Sequence, residues 1–317
     1  MFSIEAVQFG SFNALHFKHS LVNVNMVLVP ELGGSVQELH LINPTGIEAD
    51  VIEGFNEDIT SAEVAEKGFH SSLLFPFVNR LDGGNYSWLG NNLQFEINEP
   101  TRENALHGLV YNQPFEVVSQ TSTDESATCI LTPKQTEANK AYPFTHKLLV
   151  TYTLHVKYGL SVKMEIENLH SDSIPISVGW HPYIKLSKRS ACLLKLPAYE
   201  QYALGDRMIP TGETMLKDKY TSFHLIDESF DDGFQIQIKS GRQEICISDP
   251  ARHITITCWQ HAGPSALNYF QIYTSPTRES VAIEPLSSAA NAFQNGDGLI
   301  TLESKSKAQF DFGIYLT

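Results

Sequence analysis

Leu160-Ser161-Val162-Lys163-Met164-Glu165-Ile166-Glu167 alternates without a slip, apolar at every even position and polar at every odd one. Successive side chains of a strand point to opposite faces, so this octet reads as a strand with one face buried and one wet. The same period appears just upstream, where Leu148, Val150, Tyr152, Leu154 and Val156 line one face. It appears near the start in Val22, Val24, Met26 and Leu28, later in Ile254, Ile256 and Cys258, and near the end in Phe310, Phe312 and Ile314.

Between these runs lie frequent turn signals: Leu32-Gly33-Gly34, Asp82-Gly83-Gly84, Tyr158-Gly159, Asp232-Gly233 and Ser240-Gly241. Ser119 to Ser126 reads as a polar loop or hairpin tip, since both flanks read as strand. One stretch, Ser61 to Lys67, is expected to make two helical turns. Many short strands without intervening helices imply an all-β chain, a sandwich or barrel with antiparallel pairing. No linker, repeat or low-complexity block interrupts residues 1–317, so a single domain is expected.

The chain carries 36 acidic and 22 basic residues, a net charge of −14. Such a surface repels phosphate backbones and anionic lipid, which argues against nucleic-acid or membrane partners. The start, MFSIEAVQFG, lacks the basic and apolar regions of a secretory signal, and no apolar run reaches membrane-spanning length. Cys129, Cys192, Cys246 and Cys258 have neither zinc nor redox spacing and read as buried free thiols of a cytoplasmic protein.

Five polar clusters stand in unusual surroundings. Arg80, in Phe75-Pro76-Phe77-Val78-Asn79-Arg80-Leu81, is either half of a structural ion pair or a fork for hydroxyls and carboxylates. His107, in Leu106-His107-Gly108-Leu109, is either a core histidine or a ligand group, with Gly108 allowing close approach. His181, in Gly179-Trp180-His181-Pro182-Tyr183, follows a strand at Ile174 to Val178. It suits acid or base work, and the flanking Trp180 and Tyr183 suit the faces of sugar rings. Glu284 ends the buried run Val281-Ala282-Ile283, where a carboxylate must be paired or shifted in pKa. Asp231, in Phe230-Asp231-Asp232-Gly233-Phe234, reads on its own as a turn residue. His253 and His261 lack a third partner for zinc, so no metal is expected.

In this order, the clusters resemble the aldose 1-epimerase (galactose mutarotase-like) family over nearly the whole chain. Val29 to Ser35 looks like the family's early strand and turn, Asn79-Arg80-Leu81 its NRI/NRL motif, and Leu106-His107-Gly108 its LHG element. His181-Pro182-Tyr183 resembles its HPYF element and Glu284-Pro285 its closing EP. The resemblance implies a large antiparallel β-sandwich and cofactor-free interconversion of aldohexose anomers. Glu284 would be the base at the C1 hydroxyl and His181 the acid at the ring oxygen, which requires Glu284 ionised and His181 protonated at rest. Arg80, His107 and Asn79 would bind the sugar. Asp231 looks like the sugar-binding aspartate, with Asp227 and Asp232 as competitors. The partner would be a small sugar, the protein a monomer or homodimer.

One departure bears on substrate. Lys185 stands where the family commonly has Asn, with Lys188 and Arg189 close behind. These cations would suit a hexose 6-phosphate if they faced the pocket. A third reading is a sugar-binding protein without catalysis on the same sandwich.

Overall fold

The computed structural model describes residues 1–134, 139–275 and 280–317. The octet that opens the sequence argument lies in the strand Gly159–Asn168, paired antiparallel with His146–His155 and with Lys307–Leu316. These strands sit in a nine-stranded sheet that runs from Phe115–Ser122 through Ile254–Ala262 and Gly241–Asp249. A second nine-stranded sheet contains, side by side, Tyr199–Leu204, Asp231–Ile236, Tyr269–Thr274, Ser280–Leu286 and Gly179–His181. A smaller five-stranded sheet holds the first 50 residues.

The core lies between the two large sheets. Val150, Tyr152, Val162, Met164, Phe310 and Phe312 meet Phe270, Ile272, Val281 and Ile283 in one apolar cluster. Trp180 stacks on Phe312 across that layer, with ring centroids 5.5 Å apart. The protein is therefore an all-β sandwich, as the period of two predicts. Burying this many large side chains is the main force holding the sheets together, at roughly 25 cal/mol per Å² of apolar surface.

Because the period is two, the residues next to those core contacts face the other way. Asp231, Gln271, Glu284, His181 and Tyr183 share the opposite face of the second sheet. Antiparallel register sets Gln271 opposite Glu284 and Asp231 opposite Tyr273. Irregular chain covers this face, so Glu284 and His181 end up buried although they point away from the main core.

Two expectations change. Ser61 to Lys67 forms successive turns rather than a helix. The Lys67 amide bonds to the Glu63 carbonyl at 2.8 Å, but Gly68 and Phe69 follow at φ 99° and 59°, which reverses the chain before a second turn can close. The polar stretch Ser119 to Ser126 is mostly strand. Its hairpin tip shrinks to residues 123–125, between Phe115–Ser122 and Ser126–Pro133. All four cysteines are free, and three are buried. Among the described residues no helix is long and apolar enough to cross a membrane.

Candidate functional site

His181 sits at the end of the strand Gly179–His181, where its carbonyl accepts the Ser71 amide at 2.9 Å. Glu284 lies on the neighbouring strand. The His181 Nε2 and Glu284 Oε1 atoms are 3.2 Å apart, and the side chains are only 6% and 2% exposed. His181 Nδ1 and Glu284 Oε2 are buried with no hydrogen-bond partner. Two ionisable groups thus touch each other, and each keeps one buried polar atom without a partner.

The Asn79-Arg80 and His107-Gly108 clusters, 28 residues apart in the chain, meet at this pair. Asn79 and His107 bond reciprocally: the Asn79 amide donates to His107 Nδ1 at 3.3 Å, and the His107 amide to the Asn79 carbonyl at 3.1 Å. Both hold left-handed φ values, 54° and 62°. Non-glycine residues keep that conformation only where surrounding contacts impose it. In the neutral His107 ring the accepted bond puts the proton on Nε2, so this histidine presents a donor. Its ring lies edge-on to that of His181, centroids 5.3 Å apart.

Arg80 forms a structural ion pair, the first of its sequence alternatives, and its second nitrogen points to Asp231. Its Nε donates to Glu99 at 3.1 Å, a structural ion pair, while Nη2 reaches Asp231 Oδ2 at 3.5 Å. Gln271 Nε2 donates to Asp231 Oδ1 at 2.9 Å, and Asn79 Nδ2 donates to Gln271 Oε1 at 3.1 Å. Of the three candidate aspartates only Asp231 faces the pair. Asp232 accepts from Gln201, and Asp227 accepts from Lys219. Asn79, Arg80 and Gln271 also line an open cleft of about 340 Å³ counting its mouth, together with Tyr202, Tyr269 and Leu286.

Burial sets the electrostatics. It pushes His181 down from 6.5 to about 3 and His107 well below its ordinary value. It lifts Glu284 well above the usual carboxylate range. The nearby Asp231 charge adds to that rise and Arg80 opposes it. Burial thus works against the sequence expectation of an ionised Glu284 beside a protonated His181, because it disfavours the charged form of both.

His107, His181 and Glu284 offer three donor atoms within 4.8 Å of one another. The trio does not fit a divalent cation. The Asn79 amide occupies His107 Nδ1, so Nε2 carries the proton where a metal needs a lone pair.

The sequence profile of aldose 1-epimerase matches residues 18–315 of this chain. The chain belongs to the aldose 1-epimerase family. Among its relatives is YihR of Escherichia coli K12, an uncharacterized protein 30% identical over 254 residues, which cover 77% of this chain and 78% of YihR. Its fold is that of a galactose mutarotase-like protein from Clostridium acetobutylicum, with a TM-score of 0.84, 20% identity, and 100% and 98% of the two chains covered. It also matches a galactose 1-epimerase from Lactobacillus acidophilus, with a TM-score of 0.78, 14% identity, and 100% and 99% covered.

Several details of this epimerase-family chain escape the sequence. Trp180 and Tyr183 offer no free face to a sugar: Trp180 lies in the core on Phe312, and Tyr183 stacks on His181. Gly108 makes room for backbone rather than ligand, because a Cβ there would meet the Phe75 carbonyl oxygen at 2.2 Å. Its φ is also 75°. Gly108→Ala is expected to cost about 2–5 kcal/mol, the sum of left-handed strain and overpacking, read as a lower urea midpoint. Gln271 is an anchor of the site that motif reading passes over. Gln271 was open to a period-two reading, as a polar residue between Tyr269 and Tyr273. Glu99 is a second anchor, bonded to Arg80 from 19 residues away in the chain.

The cations of the epimerase-family segment after His181 are otherwise engaged. Lys185 pairs with Asp50, and Arg189 donates to the Glu228 carbonyl. Lys188 is exposed. Among the described residues none of the three contacts His181, Glu284, Arg80 or Asp231.

Proposed function

We propose that this chain is a mutarotase that interconverts the α and β anomers of an unphosphorylated aldohexose by opening and closing its ring. The observation that carries the reading is the buried His181–Glu284 contact, 3.2 Å long, with one unpartnered polar atom on each side chain. Mutarotation needs one proton removed at O1 and one added at O5, and a touching acid and base can do both.

The cycle balances as follows. As the sugar's hydroxyls enter and offset the desolvation, Glu284 is the carboxylate and His181 the imidazolium. Glu284 then takes the O1 proton while His181 gives its proton to O5. The C1–O5 bond breaks and C1=O1 forms. The pair is left as carboxylic acid and neutral imidazole, the form that burial favours. After rotation about C1–C2, the acid returns a proton to O1 and the imidazole takes one from O5. No free ion is released, and each positioned transfer is worth about 10²–10⁴-fold. His107 Nε2–H and Arg80 donate to sugar oxygens, Asp231 accepts from a hydroxyl, and Asn79 holds His107 and Gln271 in place.

The engaged state of Lys185 and Arg189 weighs against a hexose 6-phosphate. A binder without catalysis would have no use for a buried acid/base pair, whose desolvation is costly. The free thiols fit a reducing compartment, the cytoplasm, with residues 1–317 working as one sandwich unit. The test is polarimetry of freshly dissolved α-glucose and α-galactose. Equilibration faster than in buffer alone supports the reading, and an unchanged rate for every free sugar overturns it.

The depressed His181 pKa also predicts a stability profile. The folded value of about 3 lies below the ordinary 6.5, so its contribution is complete above pH 6.5 and is lost as pH falls from there toward 3. In urea titrations across that window, His181→Asn is expected to flatten the wild-type decline.

A further inference from the structure

His181 meets a polar partner at one ring nitrogen only. Nε2 faces Glu284, and the buried Nδ1 has no partner. In proton-transfer histidines the second nitrogen is often what fixes the ring, through a carbonyl or carboxylate acceptor. Here no neighbouring residue supplies that acceptor, yet the mechanism above needs the imidazole plane held to a fraction of an ångström.

Ring faces supply it. Tyr183 stacks on His181 with centroids 5.0 Å apart and planes 26° apart, and on His70 with centroids 4.2 Å apart and planes 15° apart. Tyr183 cannot swing away. Its hydroxyl donates to the Gly68 carbonyl at 2.9 Å, and its backbone is paired with both Glu53 and Ala282. His70 is anchored in turn, its Nδ1 lying 3.1 Å from the Glu53 carbonyl. Tyr273 closes the side of Tyr183 edge-on, 6.3 Å away.

We propose that Tyr183, held between His70 and its paired strands, is the positioning residue that orients His181 against Glu284 in place of an Nδ1 acceptor. The proposal rests on the acid role given to His181 above, but its geometry stands apart from any activity. Tyr183 touches neither O1 nor O5 in the cycle. Its loss acts through the angle of the imidazole.

The test compares Tyr183→Phe, which keeps the stacked face, with Tyr183→Leu, which removes it. His70→Leu loosens the clamp from its partly exposed side and serves if Tyr183→Leu fails to fold. In polarimetric kinetics Tyr183→Leu is expected to lower kcat about 100-fold, the scale of an ångström misplacement, with KM nearly unchanged. Tyr183→Phe is expected to keep most of kcat and His70→Leu to fall between. NMR of the His181 ring, assigned against His181→Asn, gives a readout free of catalysis. Its ring protons are expected to move downfield and broaden in Tyr183→Leu and in His70→Leu, and to stay in place in Tyr183→Phe. Unchanged ring signals in both Leu variants overturn the proposal. So does a Tyr183→Phe variant as impaired as Tyr183→Leu, or a KM that rises in step with the fall in kcat. If the wild type accelerates no sugar, the mutarotase reading fails while the ring signals still decide the positioning.

Discussion

Glu284→Gln and His181→Asn are each expected to cut the enzymatic rate of α-to-β conversion by about 10²–10⁴-fold, down to or near the rate in buffer. Both replacements keep the approximate shape of the side chain and remove its ability to exchange a proton. Neither should unfold the protein, because burial already disfavours the charged form of each group. Gln at 284 removes a carboxyl whose ionisation burial opposes, so its urea midpoint at neutral pH should equal or exceed that of the wild type. The two residues act as one unit, so the double variant is expected to be no slower than the worse single variant. A Glu284→Gln variant that folds normally and still equilibrates sugar at the wild-type rate would remove Glu284 from the mechanism.

Arg80→Ala is expected to be the most damaging single change to stability among the site residues, at about 3–5 kcal/mol, because it leaves buried acidic partners uncompensated. Arg80 and Glu99 are 11% and 10% exposed, and Arg80 also reaches Asp231. Removing the guanidinium leaves Glu99 with Arg102 and Asn104, and Asp231 with Gln271. The surviving partners place the loss toward the lower end of that range. Sugar affinity should fall as well, since the Arg80 fork and the Asp231 carboxylate lose their mutual orientation. Arg80→Lys should recover part of the stability, because one ammonium restores the charge but cannot span both carboxylates in a fork. Urea midpoints for the three proteins check the ordering; an Arg80→Ala midpoint equal to that of the wild type would mean that the ion pair contributes nothing net.

Much of the protein was legible in its sequence, for local reasons. A strand declares itself through residues two apart, so Leu160 to Glu167 revealed both a buried face and the all-β class. Motif order across the chain pointed to the family, and it picked out His181, Glu284, Arg80, His107, Asn79 and Asp231, which the structure gathers around one contact. The misreadings were local as well. Ser61 to Lys67 has the composition of a helix, but the left-handed turn at Gly68 and Phe69 ends it.

What the sequence alone determined is the pattern: which residues alternate, where the chain turns, and which polar groups stand among apolar neighbours. Only the tertiary structure decided what those polar groups are. The Glu284 strand buries both faces because irregular chain from distant segments covers the second one, and no periodicity reports that cover. That burial disfavours the charged forms of both Glu284 and His181, against the charges that the residue types suggest. The same packing turned Tyr183 from a surface for sugar into a wall for His181, joined Arg80 to Glu99 and Asp231, and drew Lys185 to Asp50. Each of these depends on the distance between side chains far apart in the chain, and on the water excluded between them.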